Sequence, residues 1–180
     1  MLNRLLTIVT CLGLIALSTT VRAEEFAREG TGALRAAKDA LEGKAPPALT
    51  VTGWLNTNDQ PIDLKQFQGK VVLIDFWGVW CPPCRQAIPH LKEMYEQNRE
   101  KGLVVIGIHT STQGSAMADF AERSQIPYPV AVDVNNATIN AFHVDSYPDY
   151  YLLDRKGNLR FADLKNPEVD RAVQALLAEE

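Results

Sequence analysis

The chain has 180 residues, of which 46% are hydrophobic, 22% charged and 8% aromatic, with 11 Gly and 10 Pro; this excludes collagen-like, disordered and multi-spanning membrane chains and leaves one ordinary globular domain. Its 22 acidic side chains outnumber 18 basic ones for a net charge of −4, so the basic footprint of a nucleic-acid binder is missing. Three cysteines are too few for a scaffold built on disulfides.

In chain order, Asn3 and Arg4 precede a nearly unbroken apolar run from Leu5 to Leu17, followed by Val21-Arg22-Ala23. That order of basic, apolar and small residues reads as a secretory signal peptide over 1–23, cleaved after Ala23. As a helix the run would rise only about 20 Å against a hydrocarbon core of about 30 Å, which argues against a permanent anchor. Cys11 follows Thr10 inside the apolar run and does not fit a lipoprotein signal. The expected location is periplasmic or otherwise extracytoplasmic. Removing 1–23 takes away Arg4, Arg22 and Cys11, leaving 157 residues with a net charge of −6 and two cysteines.

Residues 24–42 read as an N-terminal helical extension outside the core fold, with Phe26, Leu34, Ala37 and Leu41 at roughly helical spacing interrupted by Gly30 and Gly32. Gly43 to Pro47 reads as a linker, followed by short extended segments at Leu49–Leu55 and Pro61–Leu64. Val71–Trp77 is the strongest strand, and its continuous apolar character predicts cover on both faces. Helical periodicity runs from Cys81 to about Lys101, with Ala87, Ile88, Leu91, Met94 and Tyr95 in register. Strands at Leu103–Ile108 and Val130–Val132 alternate with helices at Gln113–Ser124 and Asn136–Phe142. A hairpin of Tyr150–Asp154 with Leu159–Ala162 leads into a terminal helix over Pro167–Ala178. This alternation predicts an α/β fold with a central mixed β-sheet flanked by helices.

The chemistry sits in Phe76-Trp77-Gly78-Val79-Trp80-Cys81-Pro82-Pro83-Cys84-Arg85. Cys81 and Cys84 close too short a loop to constrain the unfolded chain much, so their use is chemical or metal-binding. Between a buried strand and a helix, Cys81 falls at the N-cap and Cys84 at the third helical position, one turn apart on one side. The helix N-terminus favours a thiolate at Cys81. Such a thiolate attacks a partner disulfide, and Cys84 then displaces it from the mixed disulfide. Zinc would require about four ligands, and His90, His109 and His143 are not at ligand spacing with the pair.

The order Phe-Trp-x-x-Trp-Cys-x-x-Cys-Arg after a buried strand resembles the thioredoxin superfamily, and the remainder resembles its exported TlpA/ResA-like branch. The likeness rests also on Gly43-Lys44-Ala45-Pro46, on Asp63-Leu64-Lys65-Gln66-Phe67-Gln68-Gly69-Lys70, and on Tyr147-Pro148 with Leu152-Leu153-Asp154-x-x-Gly157. It covers 43–180 as a thioredoxin-like domain and leaves 24–42 outside. The resemblance implies Cys81 as nucleophile, Cys84 as resolving thiol, and a cis Pro148 opposite them. The Tyr147 backbone would then be presented for strand-like pairing with a substrate. It also implies Asp75 as a buried acid that moves the Cys84 proton, and strand alternation agrees, because Asp75 shares a face with Val71, Leu73 and Trp77. The plainer reading of Asp75 is a solvated residue at a bent strand end.

Trp77 reads as core, Trp80 as a partly exposed platform for a partner, Arg85 as a surface residue, and the histidines as surface or core fillers. Two features depart from the branch. Asp149-Tyr150 after Pro148 is expected to add negative charge and bulk near the substrate groove, and Pro82-Pro83 removes two N–H donors at the helix start. Fewer donors to the thiolate predict a reductant or moderate-potential exchanger. The functional expectation is an exported, monomeric thiol:disulfide oxidoreductase without a cofactor. It would reduce disulfides of other exported proteins, apocytochrome c among them as the family implies, and be served by an upstream electron donor. The alternatives are a disulfide donor or isomerase using the same residues, or a metal or haem chaperone using the cysteine pair. A thiol peroxidase would need Pro-x-x-x-Thr-x-x-Cys, and Ile74 and Gly78 stand where Pro and Thr would precede Cys81.

Overall fold

The structure is a computed structural model that describes residues 26–58 and 60–179. The expected signal peptide lies outside the described residues. Six strands form one mixed sheet: β1 (Val51–Leu55), β2 (Val71–Trp77), β3 (Leu103–His109), β4 (Val130–Asp133), β5 (Asp149–Leu153) and β6 (Leu159–Leu164). Their spatial order is β1-β4-β3-β2-β5-β6. β2, β3 and β4 run parallel, while β1, β5 and β6 pair antiparallel with their neighbours. Every residue of β2 is buried, as expected of a central strand covered on both faces.

The helices are α1 (Gly32–Asp39), α2 (Pro82–Asn98), α3 (Met117–Arg123), α4 (Ala137–Phe142) and α5 (Val169–Leu177). Side-chain alternation along β2 divides the core into two layers. Val71, Leu73 and Trp77 pack with Ile88, Leu91 and Met94 of α2, Met117 and Ala121 of α3, and Val173 and Leu176 of α5. Val72, Ile74 and Phe76 pack on the other face with Ile139 and Phe142 of α4. The cysteine pair belongs to the first layer.

Two local expectations change. Pro61–Leu64 forms no strand; the chain instead enters a 3-10 turn over Leu64–Phe67, where the Asp63 carboxylate accepts the Lys65 N–H at 3.0 Å. This local capping bond competes with extended pairing. The helix expected from Gln113 becomes regular only at Met117, after a 3-10 turn over Gly114–Ala116. Gly114 presses on β4 so closely that an added Cβ would lie 2.6 Å from Val132 Cγ1.

The segment expected to lie outside the core instead packs on it along the exposed edge of β6. Glu29 N–H donates to the Asp163 carbonyl, Lys165 N–H to the Ala27 carbonyl, Gly43 N–H to the Leu159 carbonyl and Leu159 N–H to the Lys44 carbonyl. Arg28 forms a bridge with Leu164. An open edge strand is a template for unwanted pairing, and this cover satisfies it. The segment also crosses the edge, placing Phe26 against Phe161 in one layer and Leu41 against the other. Among the described residues, no helix is long and apolar enough to cross a membrane.

Candidate active site

β2 ends at Trp77 and the chain turns through Gly78-Val79-Trp80 into α2, with Cys81 at the N-cap. Pro82 opens the helix, where its fixed φ is favourable and its missing N–H costs nothing. Cys81 Sγ accepts the Cys84 N–H at 3.2 Å, the capping bond that brings the two side chains together. They form a disulfide with an S–S distance of 2.12 Å. Both are buried, with relative exposures of 3% and 2%, so a partner must come to them through the surrounding surface.

Two elements supply that surface. The Tyr147–Pro148 bond is cis, and the Tyr147 carbonyl oxygen lies 3.6 Å from Cys81 Sγ. Trp80, 39% exposed, packs edge-on against Tyr147 with ring centroids 5.4 Å apart. The indole folds back over Gly78, where an added Cβ would lie 2.8 Å from it. Arg85 is exposed on the first turn of α2. Trp77 is buried and packs against Phe120 and His109. Thus Trp80, Cys81 and Cys84 meet Tyr147 and Pro148, more than 60 positions away in sequence, at one end of the sheet.

Asp75 is mid-strand and only 3% exposed rather than solvated at a strand end. Its side chain points into the same layer as the disulfide, and its Oδ1 has no hydrogen-bond partner. Desolvation pushes its carboxyl up to about 8, because no neighbouring cation compensates the ionised form. Tyr128 and Tyr150 are raised by burial and then by the Asp75 charge. An acid of this kind exchanges a proton near neutral pH.

Asp149 is not the groove charge that its place after Pro148 suggests. It is the first residue of β5, pairs with Phe76 and turns to the layer opposite the disulfide. There Lys38 Nζ lies 3.4 Å from its Oδ2. Burial, then the charge of Asp163, pushes the Asp149 carboxyl above its ordinary range, while the Lys38 charge opposes that shift.

His109, read from sequence as a filler, holds the redox loop. Fully buried at the end of β3, its Nε2 accepts the Val79 N–H at 2.9 Å and its Nδ1 contacts the Thr110 carbonyl at 2.6 Å. These partners assign the proton to Nδ1, as a donor to Thr110, and the acceptor role to Nε2. Burial lowers the imidazole below its ordinary range, which favours that neutral form. Thr110 N–H also donates to the Trp77 carbonyl, so the end of β3 fixes both sides of Gly78. The signal available in sequence was position: His109 shares a strand face with Val105 and Gly107 and continues a buried run.

Among the described residues, one acidic group of metal-ligand spacing exists, Asp145, Asp149 and Asp163. The Lys38 ammonium is bonded within it.

Comparison with known proteins agrees with this architecture. Residues 42–162 match the family model described as AhpC/TSA. Protein DipZ of Mycobacterium tuberculosis is 43% identical over 124 residues, 66% of this chain and 18% of DipZ. The thiol-disulfide oxidoreductase ResA of Bacillus thuringiensis is 32% identical over 117 residues, covering 65% of this chain and 66% of ResA. The chain thus spans less than a fifth of DipZ and just under two thirds of ResA. A crystal structure from Chlorobium tepidum, assigned as a thiol:disulfide interchange protein DsbE, superposes with a TM-score of 0.65 at 27% identity over 76% of this chain and 96% of that one. With its thioredoxin-like fold, the chain belongs to the AhpC/TSA family, in the TlpA/ResA-like branch of the thioredoxin superfamily.

Proposed function

We propose that the protein is an exported thiol:disulfide oxidoreductase that reduces disulfides of other exported proteins through the Cys81/Cys84 dithiol. The observation that carries this reading is the Cys81–Cys84 disulfide at the N-terminus of α2, with the Tyr147 carbonyl beside Cys81 Sγ and the buried Asp75, its Oδ1 without a hydrogen-bond partner, on the same face of β2 as the layer that holds the disulfide.

In the reduced protein the α2 N-terminus and the Cys84 N–H favour a thiolate at Cys81. That thiolate attacks one sulfur of the partner's disulfide, forming a mixed disulfide and releasing the other sulfur as a thiolate that takes a proton from water. Asp75, ionised, accepts the Cys84 proton. The Cys84 thiolate then attacks Cys81 Sγ, closing the intramolecular disulfide and releasing the partner's second thiolate. Two electrons pass to the partner, and an upstream dithiol donor must return them. Trp80 and the Tyr147-Pro148 backbone form the docking surface, the backbone by strand-like pairing.

Pro82 and Pro83 favour the reducing direction, because neither offers an N–H to stabilise the Cys81 thiolate and so make the pair oxidising. The alternative is a disulfide donor or isomerase with the same residues. The test is Cys84→Ala expressed with its export signal in the native host. Stable mixed disulfides on Cys81, identifiable as exported proteins, are the expected result; an absence of covalent partners refutes the assignment.

A further inference from the structure

Lys38 is an anomaly on physical grounds. A Lys on a helix ahead of the family match, which begins at residue 42, ordinarily extends into water, yet the Lys38 side chain is 1% exposed. Burying an ammonium costs several kcal/mol unless partners replace its water. Here the partners are Asp145, Asp163 Oδ2 at 2.5 Å and Asp149 Oδ2 at 3.4 Å. Burial lowers the Lys38 ammonium, but the bonds to Asp145 and Asp163 and the charges of Asp149 and Asp163 more than offset this and leave it raised.

The partners' positions carry the inference. Asp145 lies two residues before Tyr147 and Asp149 lies two residues after it, so one ammonium grips both shoulders of the dipeptide that faces Cys81. Asp163 fixes the same ammonium to β6. The helix bearing Lys38 is itself held, because Arg35 donates to the carbonyls of Glu29 and Ala162 and Glu29 N–H donates to the Asp163 carbonyl. An unbroken set of contacts therefore runs from the edge cover of β6, through Lys38, to the Tyr147 carbonyl 3.6 Å from Cys81 Sγ and the Tyr147 ring under Trp80.

We propose that Lys38 is a positioning residue: the N-terminal segment clamps the 143–148 loop and sets the docking surface on which a protein disulfide meets Cys81. This deepens the oxidoreductase reading and rests on it. A small disulfide needs only Cys81 and Cys84, whereas a protein disulfide must also align along the Tyr147 backbone. The clamp therefore acts on protein substrates selectively.

The test compares Lys38→Met, Asp145→Ala and Asp145→Asn in the otherwise intact mature chain, with insulin as the protein disulfide and glutathione disulfide as the small one. Asp145 is 37% exposed, so its truncation leaves the Lys38–Asp163 pair in place and keeps the test usable where Lys38→Met fails to fold. Lys38→Met and Asp145→Ala are expected to raise KM for insulin about tenfold, with glutathione disulfide changed by less than about twofold. Asp145→Asn, which keeps an acceptor for Lys38, restores most of the loss. Amide exchange read by mass spectrometry should accelerate over 143–147 in Asp145→Ala, independently of activity. Unchanged exchange over those residues, or an equal loss with both disulfides, overturns the clamp. A wild-type protein that reduces neither disulfide overturns the oxidoreductase reading instead, while exchange still reports on the clamp.

Discussion

Replacing Asp75 by Asn isolates the proton held on this buried carboxyl. The folded carboxyl is pushed up to about 8 by burial alone, whereas an unfolded Asp titrates near 3.9. The folded state therefore binds this proton more tightly. Stability is highest below the unfolded value, falls as pH rises through the window from about 4 to about 8, and is flat above it. At about 1.4 kcal/mol per unit, the wild type should lose about 4 kcal/mol between pH 5 and pH 9 relative to Asp75→Asn, which carries no titrating group there. Denaturant unfolding of both oxidised proteins at pH 5, 7 and 9 measures this difference, and the disulfide keeps Cys81 and Cys84 from contributing. Asn should become progressively the more stable side chain. A wild-type-to-Asn difference that stays constant across the range would refute the buried-proton argument. In the reduced protein the same substitution removes the base for Cys84, so the mixed disulfide should resolve about 100-fold more slowly; an unchanged rate would remove Asp75 from proton transfer.

Glutathione-buffered titration should place the Cys81/Cys84 pair nearer thioredoxin than the strongly oxidising exchangers, two ends separated by about 150 mV or roughly 7 kcal/mol. A value at the oxidising end would show that the donors missing at Pro82 and Pro83 do not set the direction. His109→Leu leaves the partly buried Val79 N–H without its acceptor, so the unfolding free energy should fall by about 1–3 kcal/mol and amide exchange over 78–80 should rise. Full retention of stability and protection would mean that β3 does not hold the redox loop.

The central strand, the helix after it and the N-cap position of Cys81 were legible because each follows from local pattern: continuous burial, 3.6-residue periodicity and capping chemistry. So was the mixed character of the sheet, since strands alternating with helices and a closing hairpin leave few other arrangements. Asp75 was legible as a buried acid through the resemblance to the thioredoxin superfamily; strand alternation agreed, but it assigns a face and not a solvent environment. The tertiary structure decided that environment by closing the disulfide layer over it without a counter-charge.

The misreadings have one physical cause: a polar side chain carries no sequence mark of the partner that will neutralise it. Asp149 read as a groove charge because its neighbours in sequence face the groove, yet one step along a strand reverses the side chain and delivers it to Lys38. Residues 24–42 read as lying outside the core because Gly30 and Gly32 interrupt their helical spacing, yet the edge of β6 draws the segment in and buries Lys38. His109 read as filler because its acceptor role exists only where β3 ends beside Val79. The sequence by itself determined the central strand, the helix after it and the one-turn spacing of Cys81 and Cys84, which follow from short-range pattern, while the roles of the pair and of Asp75 came from the family resemblance. Only the tertiary structure decided which buried charges face each other and how the N-terminal segment reaches the loop facing Cys81, because those pairings join residues more than 100 positions apart.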